Sequence, residues 1–160
     1  VDLSAEMLQR NSEGGRCYNA AVRAMPFETG SFDAVFASLA DPCLTPGALC
    51  EIRRVLRSGG TFALTTPHAD WAKALRPSHQ LETTSFAVGG EMITVPSYIY
   101  TDTELARMLE TCGFQVGELI SVDGSMLRGE ISAALSIAAE RASRPLSSLA
   151  ILACATGVKP

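Results

Sequence analysis

Two hydrophobic rhythms alternate along this chain. Compact apolar runs occur at Phe32–Ser38 (FDAVFAS), Thr61–Thr66 (TFALTT), Val116–Val122 and Leu149–Thr156, and each predicts a strand, the first of them buried. Between the runs, apolar residues recur at helical spacing. Thr45-Pro46 opens a helix with Leu49, Ile52, Val55 and Leu56 on one face, ended by Gly59-Gly60. Thr101 and Glu104 form a capping-box pattern ahead of Leu105, Met108, Leu109 and Cys112, and Gly113 suits the position after the helix end. Ile131, Leu135, Ala138 and Ala142 predict a further helix. At the start, Ser4 caps a helix carrying Glu6, Met7 and Leu8, which fades at Asn11 and stops by Gly14-Gly15. Cys17 to Ala20 predicts a short strand.

Residues 68–100 interrupt the rhythm. Trp71, Lys73 and Leu75 predict a short helix, and Phe86 to Val95 a hairpin about Gly89-Gly90. Strands alternating with helices define an α/β domain with a largely parallel sheet. The interruption follows a strand's carboxyl end, the edge where open α/β sheets bind ligands.

Composition narrows the picture. The 160 residues are 47% hydrophobic, enough for one domain with a sizeable core. A net charge of −4 and a pI near 5.2 weigh against a nucleic-acid binder working by phosphate neutralisation. No apolar run approaches the ~18 residues of a membrane span, and no export signal is visible, so a cytoplasmic location is expected. The five cysteines are odd in number and irregular in spacing, without Cys-x-x-Cys. They predict neither a disulfide framework nor a metal site, but small buried apolar residues.

VDLSAEML, AMPFETGSFDAVFAS and EIRRVLRSGGTFALTTP, in that order, resemble successive motifs of the class I S-adenosylmethionine-dependent methyltransferases of the small-molecule type. TDTELARMLETCGF with QVGELISV is similar to that family's penultimate helix and sixth strand, and LAILACAT is placed like its seventh strand. The resemblance implies a Rossmann-like sheet, mostly parallel with an antiparallel last strand. It implies S-adenosylmethionine as cofactor, a small-molecule acceptor, and residues 68–100 as a substrate cap within a single domain spanning 1–160. Methyl transfer from a sulfonium is an in-line displacement, so the protein's task is to align donor and nucleophile and exclude water.

The resemblance also assigns residues. Asp2 stands where the family places an acid that accepts hydrogen bonds from the ribose hydroxyls. Leu3 would pack on the adenine face. Ala21 stands where relatives often carry an Asp that meets the adenine amino group; alanine cannot accept that bond, at a cost of ~1–2 kcal/mol in binding. The backbone of Ala21 and Val22 would still flank the base, with Asn19 as a candidate substitute acceptor. Ser38 and Leu39 would border the methyl-transfer position. His68, directly after the fifth strand, is the candidate general base; His79 is a weaker one. Trp71, Phe86, Tyr98 and Tyr100 would line the cap. Arg53, Arg54 and Arg57 read as a solvated helix end.

The family's glycine-rich loop follows its first strand. No G-x-G-x-x-G occurs in this chain. The resemblance therefore implies that Val1 falls at the end of the second strand, so that the first strand, its loop and its helix are lacking. The fourth, fifth, seventh and sixth strands are then expected to keep a sheet. Residues up to about Pro26 would be loosely attached, or re-paired through residues 17–20 against the fourth strand. A second functional reading is a non-catalytic binding or interaction module derived from a methyltransferase. The acceptor's identity and the oligomeric state are not readable from the chain.

Overall fold

The computed structural model describes residues 1–10, 15–76 and 82–160. In chain order the elements are α1 (Ala5–Gln9), β1 (Phe32–Ala37), α2 (Pro46–Val55), β2 (Leu56–Pro67), α3 (Ala69–Leu75), β3 (Thr83–Val88), β4 (Glu91–Pro96), α4 (Asp102–Thr111), β5 (Gln115–Asp123), α5 (Ala133–Ala142) and β6 (Ala150–Val158). Short 3-10 turns cover Asp41–Cys43 and Leu146–Ser148. The main sheet has the order β1-β2-β6-β5, and β3 pairs with β4 in the separate hairpin. β1 and β2 are parallel, and β6 runs antiparallel to β2 and β5. This is the mostly parallel sheet with a reversed last strand that the motif order implies.

Local chemistry fixes the helices. Thr45 Oγ1 accepts from the Ala48 amide at 3.4 Å, and Pro46 sits in the first turn, where no amide hydrogen is needed. In α4 the capping box is complete: Glu104 receives the Thr101 amide at 2.8 Å, and Thr101 Oγ1 receives the Glu104 amide at 3.3 Å. Gly113 follows at φ +83°, a conformation that disfavours any side chain.

One boundary differs from expectation. Helix α2 stops at Val55, and β2 begins at Leu56 rather than Thr61. Leu56 is fully buried, and Gly59 and Gly60 do not cap the helix: they exchange backbone hydrogen bonds with Lys159 at 2.8 and 2.9 Å. The arginines are also not a solvated helix end. Arg53 donates to the Gly113 carbonyl at 3.1 Å, Arg54 to Glu51, Phe27 and Met25, and Arg57 to Asp33.

The core lies on one face of the sheet. Phe62, Leu64, Ala153 and Ala155 pack beneath Leu49 and Ile52 of α2 and Leu105 and Leu109 of α4. The Phe62 and Phe114 rings meet at 4.5 Å between centroids. The other face carries a bare strip. Ala34 and Phe36 of β1, Thr61 and Ala63 of β2 and Thr156 of β6 help line an open groove of about 510 Å³. Phe36 is 69% exposed, so the first apolar run is a half-exposed strand and not a buried one. The cysteines are likewise not core residues: Cys17 and Cys50 are exposed and the other three half-buried.

The N-terminal arm attaches weakly. No residue of α1 is buried. Cys17 to Ala20 forms no strand and does not pair with β1; the arm closes on itself through one bridge between Asp2 and Asn19. The link to the body begins at residues 22–30. There Phe27 stacks edge-on with Tyr18 and Phe32, and Arg54 holds the Met25 and Phe27 carbonyls. Asn11, Gly14 and His79 lie outside the described residues, as does the side chain of Phe86.

Candidate functional site

Ser38 and Leu39 lie at the carboxyl end of β1, beside that of the parallel strand β2. Leu39 closes β1 at φ +48°, a left-handed conformation that is uncommon for a residue with a Cβ. It is held there by two bonds to one residue of β2. The Leu39 amide donates to Thr65 Oγ1 at 3.0 Å, and the Ala40 amide to the Thr65 carbonyl at 2.8 Å. Ser38 is exposed and the Leu39 side chain 59% exposed.

Asp2, Leu3 and the Asn19–Ala21 segment come together through the arm's bridge. The Asp2 amide donates to Tyr18 O at 3.2 Å, and the Ala20 amide returns to Asp2 O at 3.1 Å. Asn19 Nδ2 holds the carbonyls of Asp2 and Leu3 at 3.2 and 2.8 Å. Its amide nitrogen is therefore committed to the backbone. Asp2 Oδ1 accepts from the Ser4 amide at 2.7 Å, and the side chain is exposed. Leu3 is 73% exposed, so it is not core packing. Ala21 accepts from the Ala24 amide at 3.0 Å, and Val22 packs on the core's margin. Burial pushes the Cys43 thiol pKa up, and the carboxylates of Asp41 and Asp2 add to the rise.

His68 directly follows β2, with its side chain turned inward. It is 5% exposed and caps α3, with Nδ1 accepting from the Asp70 amide at 3.1 Å. In the neutral ring the proton is then on Nε2, which lies 3.4 Å from Asp102 Oδ1. Asp102 Oδ2 accepts from Ser121 Oγ at 2.6 Å, and Asp70 pairs with Arg144 at 2.8 Å. A general base needs a lone pair open to the acceptor. Both ring nitrogens of His68 instead face intrachain partners, so the ring joins α3 to α4.

The interrupting segment, termed the roof below, borders a second cavity. Lys73, Glu82, Tyr98, Ile99, Tyr100 and Glu104 line a cavity of about 240 Å³. Tyr100 donates to the Leu44 carbonyl at 3.0 Å, and burial, then the Glu82 carboxylate, push its phenol pKa up. Glu104 is held below the usual carboxylate range by the Thr101 amide and hydroxyl. Trp71 does not line the cavity. Sequence reasoning missed Asp41, Arg76 and Ser97, which anchor this roof. They are far apart in sequence, and no motif marks them. Among the described residues no cluster of three or more His, Cys, Asp or Glu side chains is placed for a metal. No described helix is long and apolar enough to cross a membrane.

Residues 1–64 match the model of a methyltransferase domain family. The chain is 35% identical over 97 residues to an uncharacterised methyltransferase of Synechocystis, across 58% of this chain and 42% of that protein. The chain thus spans less than half the length of this curated relative. Among solved structures, one reported as an S-adenosylmethionine-dependent methyltransferase from Listeria monocytogenes superposes with a TM-score of 0.67 at 16% identity. It covers 99% of this chain and 78% of that one. The geranyl diphosphate C-methyltransferase of Streptomyces coelicolor, solved with S-adenosylhomocysteine, gives 0.58 at 11% identity over 88% and 51%. The fold is that of the class I methyltransferases. The first 64 residues are thus similar to a methyltransferase domain, and the described chain has the methyltransferase fold.

Proposed function

We propose that the chain carries the acceptor side and part of the cofactor edge of an enzyme that methylates a small molecule. One observation carries this reading: Asp2 and Leu3 stand exposed beside Asn19–Ala21, in electrostatic reach of the turn after β1. An exposed carboxylate next to an exposed leucine fits the nucleoside half of S-adenosylmethionine. Asp2 would hold the ribose hydroxyls, and Leu3 and Val22 would flank the adenine, with the backbone of Ala21 at its rim. Ser38 and Leu39 would border the reacting end. When bound, S-adenosylmethionine supplies an already activated methyl group, so alignment and water exclusion are what the chain must provide. The roof over residues 68–100 would enclose the acceptor in the cavity between Lys73 and Tyr98.

A second reading is a non-catalytic binding module. The inward-facing His68 favours it, because the proposed proton acceptor is not available at the cavity. Calorimetric titration of the whole chain with S-adenosylhomocysteine separates the two. Weak saturable binding, reduced about tenfold by Asp2→Asn through loss of a charge-assisted hydrogen bond, supports the enzyme reading. Binding indifferent to Asp2→Asn, or none at millimolar ligand, moves the assignment to the second.

A further inference from the structure

The roof hairpin is joined to the turn after β1 by a polar chain centred on a buried serine. Ser97, directly after β4, is 0% exposed. A buried hydroxyl is costly unless both its donor and acceptor roles are met. Here they are met by opposite charges. Ser97 Oγ donates to Asp41 Oδ2, and Arg76 Nη2 donates to Ser97 Oγ at 2.6 Å. Arg76 Nη1 also holds the Ser97 carbonyl at 2.8 Å, and the Tyr98 amide donates to the Asp41 carbonyl at 2.9 Å. A hydroxyl polarised between a guanidinium and a carboxylate makes each bond stronger than it would be alone.

The three residues connect two places. Asp41 opens the 3-10 turn immediately after Leu39 and Ala40. Ser97 precedes Tyr98, Ile99 and Tyr100, half of the residues that line the roof cavity. Arg76 ends α3, from which Lys73 reaches the same cavity. We propose that Asp41, Ser97 and Arg76 are positioning residues: a latch that seats the roof on the turn after β1, so that the turn's position sets the shape of the acceptor cavity. The proposal rests on the methyl-transfer reading only for the names of the two places, the cofactor edge and the acceptor cavity.

Hydrogen exchange on the whole chain tests it, with Ser97→Ala as the first variant. The amides of residues 83–88 and 91–98 are expected to exchange about tenfold faster, equivalent to about 1.4 kcal/mol, while those of β2 and β6 keep their rates. Unchanged hairpin rates, or equal acceleration of hairpin and sheet, would overturn the latch. Should Ser97→Ala fail to fold, Arg76→Lys retains the cation but loses one of two donors, and a smaller acceleration confined to the hairpin is expected.

A second readout separates positioning from simple support. In the unmutated chain, saturating S-adenosylhomocysteine is expected to slow exchange in the hairpin, and in Ser97→Ala this response is expected to vanish. Equal slowing in both overturns the positioning role. If S-adenosylhomocysteine does not bind the unmutated chain, the methyl-transfer reading fails. The latch is then decided by the exchange rates of the free chain alone.

Discussion

The helix-covered face of the sheet and the N-terminal arm are built to different standards. On the covered face, Leu49, Leu105 and Leu109 are at most 1% exposed, and their helices are capped and tied together by Arg53. In the arm, Leu3 and Met7 are 73% and 56% exposed, α1 buries nothing, and the loop is closed by one backbone bridge and the Asn19 side chain. Yet the arm carries Asp2 and Leu3, the residues we propose for the nucleoside. The fold and the proposed cofactor edge thus depend on separate sets of contacts. A chain can hold the first firmly while binding through the second only weakly.

The widest separation between the two regions is expected from paired truncations. Leu109→Ala leaves a cavity among Phe62, Leu105 and Phe114 and should lower stability by about 2–5 kcal/mol in urea denaturation. Leu3→Ala should stay within about 0.5 kcal/mol of the unmutated chain. Comparable losses at both sites would mean that the arm is part of the core. Next in size is Thr101→Ala, which removes the side-chain half of the α4 capping box, leaving the residue-101 amide on Glu104, and should cost about 1 kcal/mol in the same measurement. An unchanged midpoint would show that α4 is held by packing alone.

The smallest effect is on the pH profile. Glu104 is held below its ordinary value of 4.5 in the folded chain, so its contribution is present above that value and lost as pH falls through the lower, folded one. Glu51, lowered by Arg54, and Asp123, lowered by Ser125, act in the same acidic window. Urea midpoints should therefore fall below pH 4.5, and Glu104→Gln should flatten part of that slope. A slope unaltered by Glu104→Gln would assign it to the other carboxylates.

Elements with local causes were legible in the sequence. Thr45-Pro46, the Thr101/Glu104 box and Gly113 act within a few residues, and each forms as read. The Gly89-Gly90 turn does too, with φ of +59° and +87°. What depends on distant contacts was not legible. Gly59-Gly60 reads as a helix end, but Lys159, from the far end of the chain, pairs with it and draws it into β2. Phe32–Ala37 reads as buried because its composition is apolar, whereas burial depends on what covers it. His68 follows a strand end as a catalytic residue would, but its ring direction is set by Asp70 and Asp102. The cofactor-edge residues were named through family motifs; the structure joins Asp2 and Leu3 to Asn19, and Leu39 to Thr65, through separate contacts. The Asp41–Ser97–Arg76 chain had no sequence signal at all, because each link is made by tertiary packing.

The bare strip along β1 also decides how the protein behaves as a solute. The outer edge of β1 has no strand partner among the described residues, and the groove beside it ends in the exposed ring of Phe36. A charged pair, Arg57 with Asp33, sits near the start of that edge and discourages a second strand from docking. At neutral pH the net charge of −4 adds mutual repulsion between molecules, and this disappears near pH 5.2. Light scattering should show the interaction between molecules turning from repulsive to attractive as that pH is approached. Phe36→Ser should delay the change, making one aromatic ring the main determinant of the protein's colloidal window.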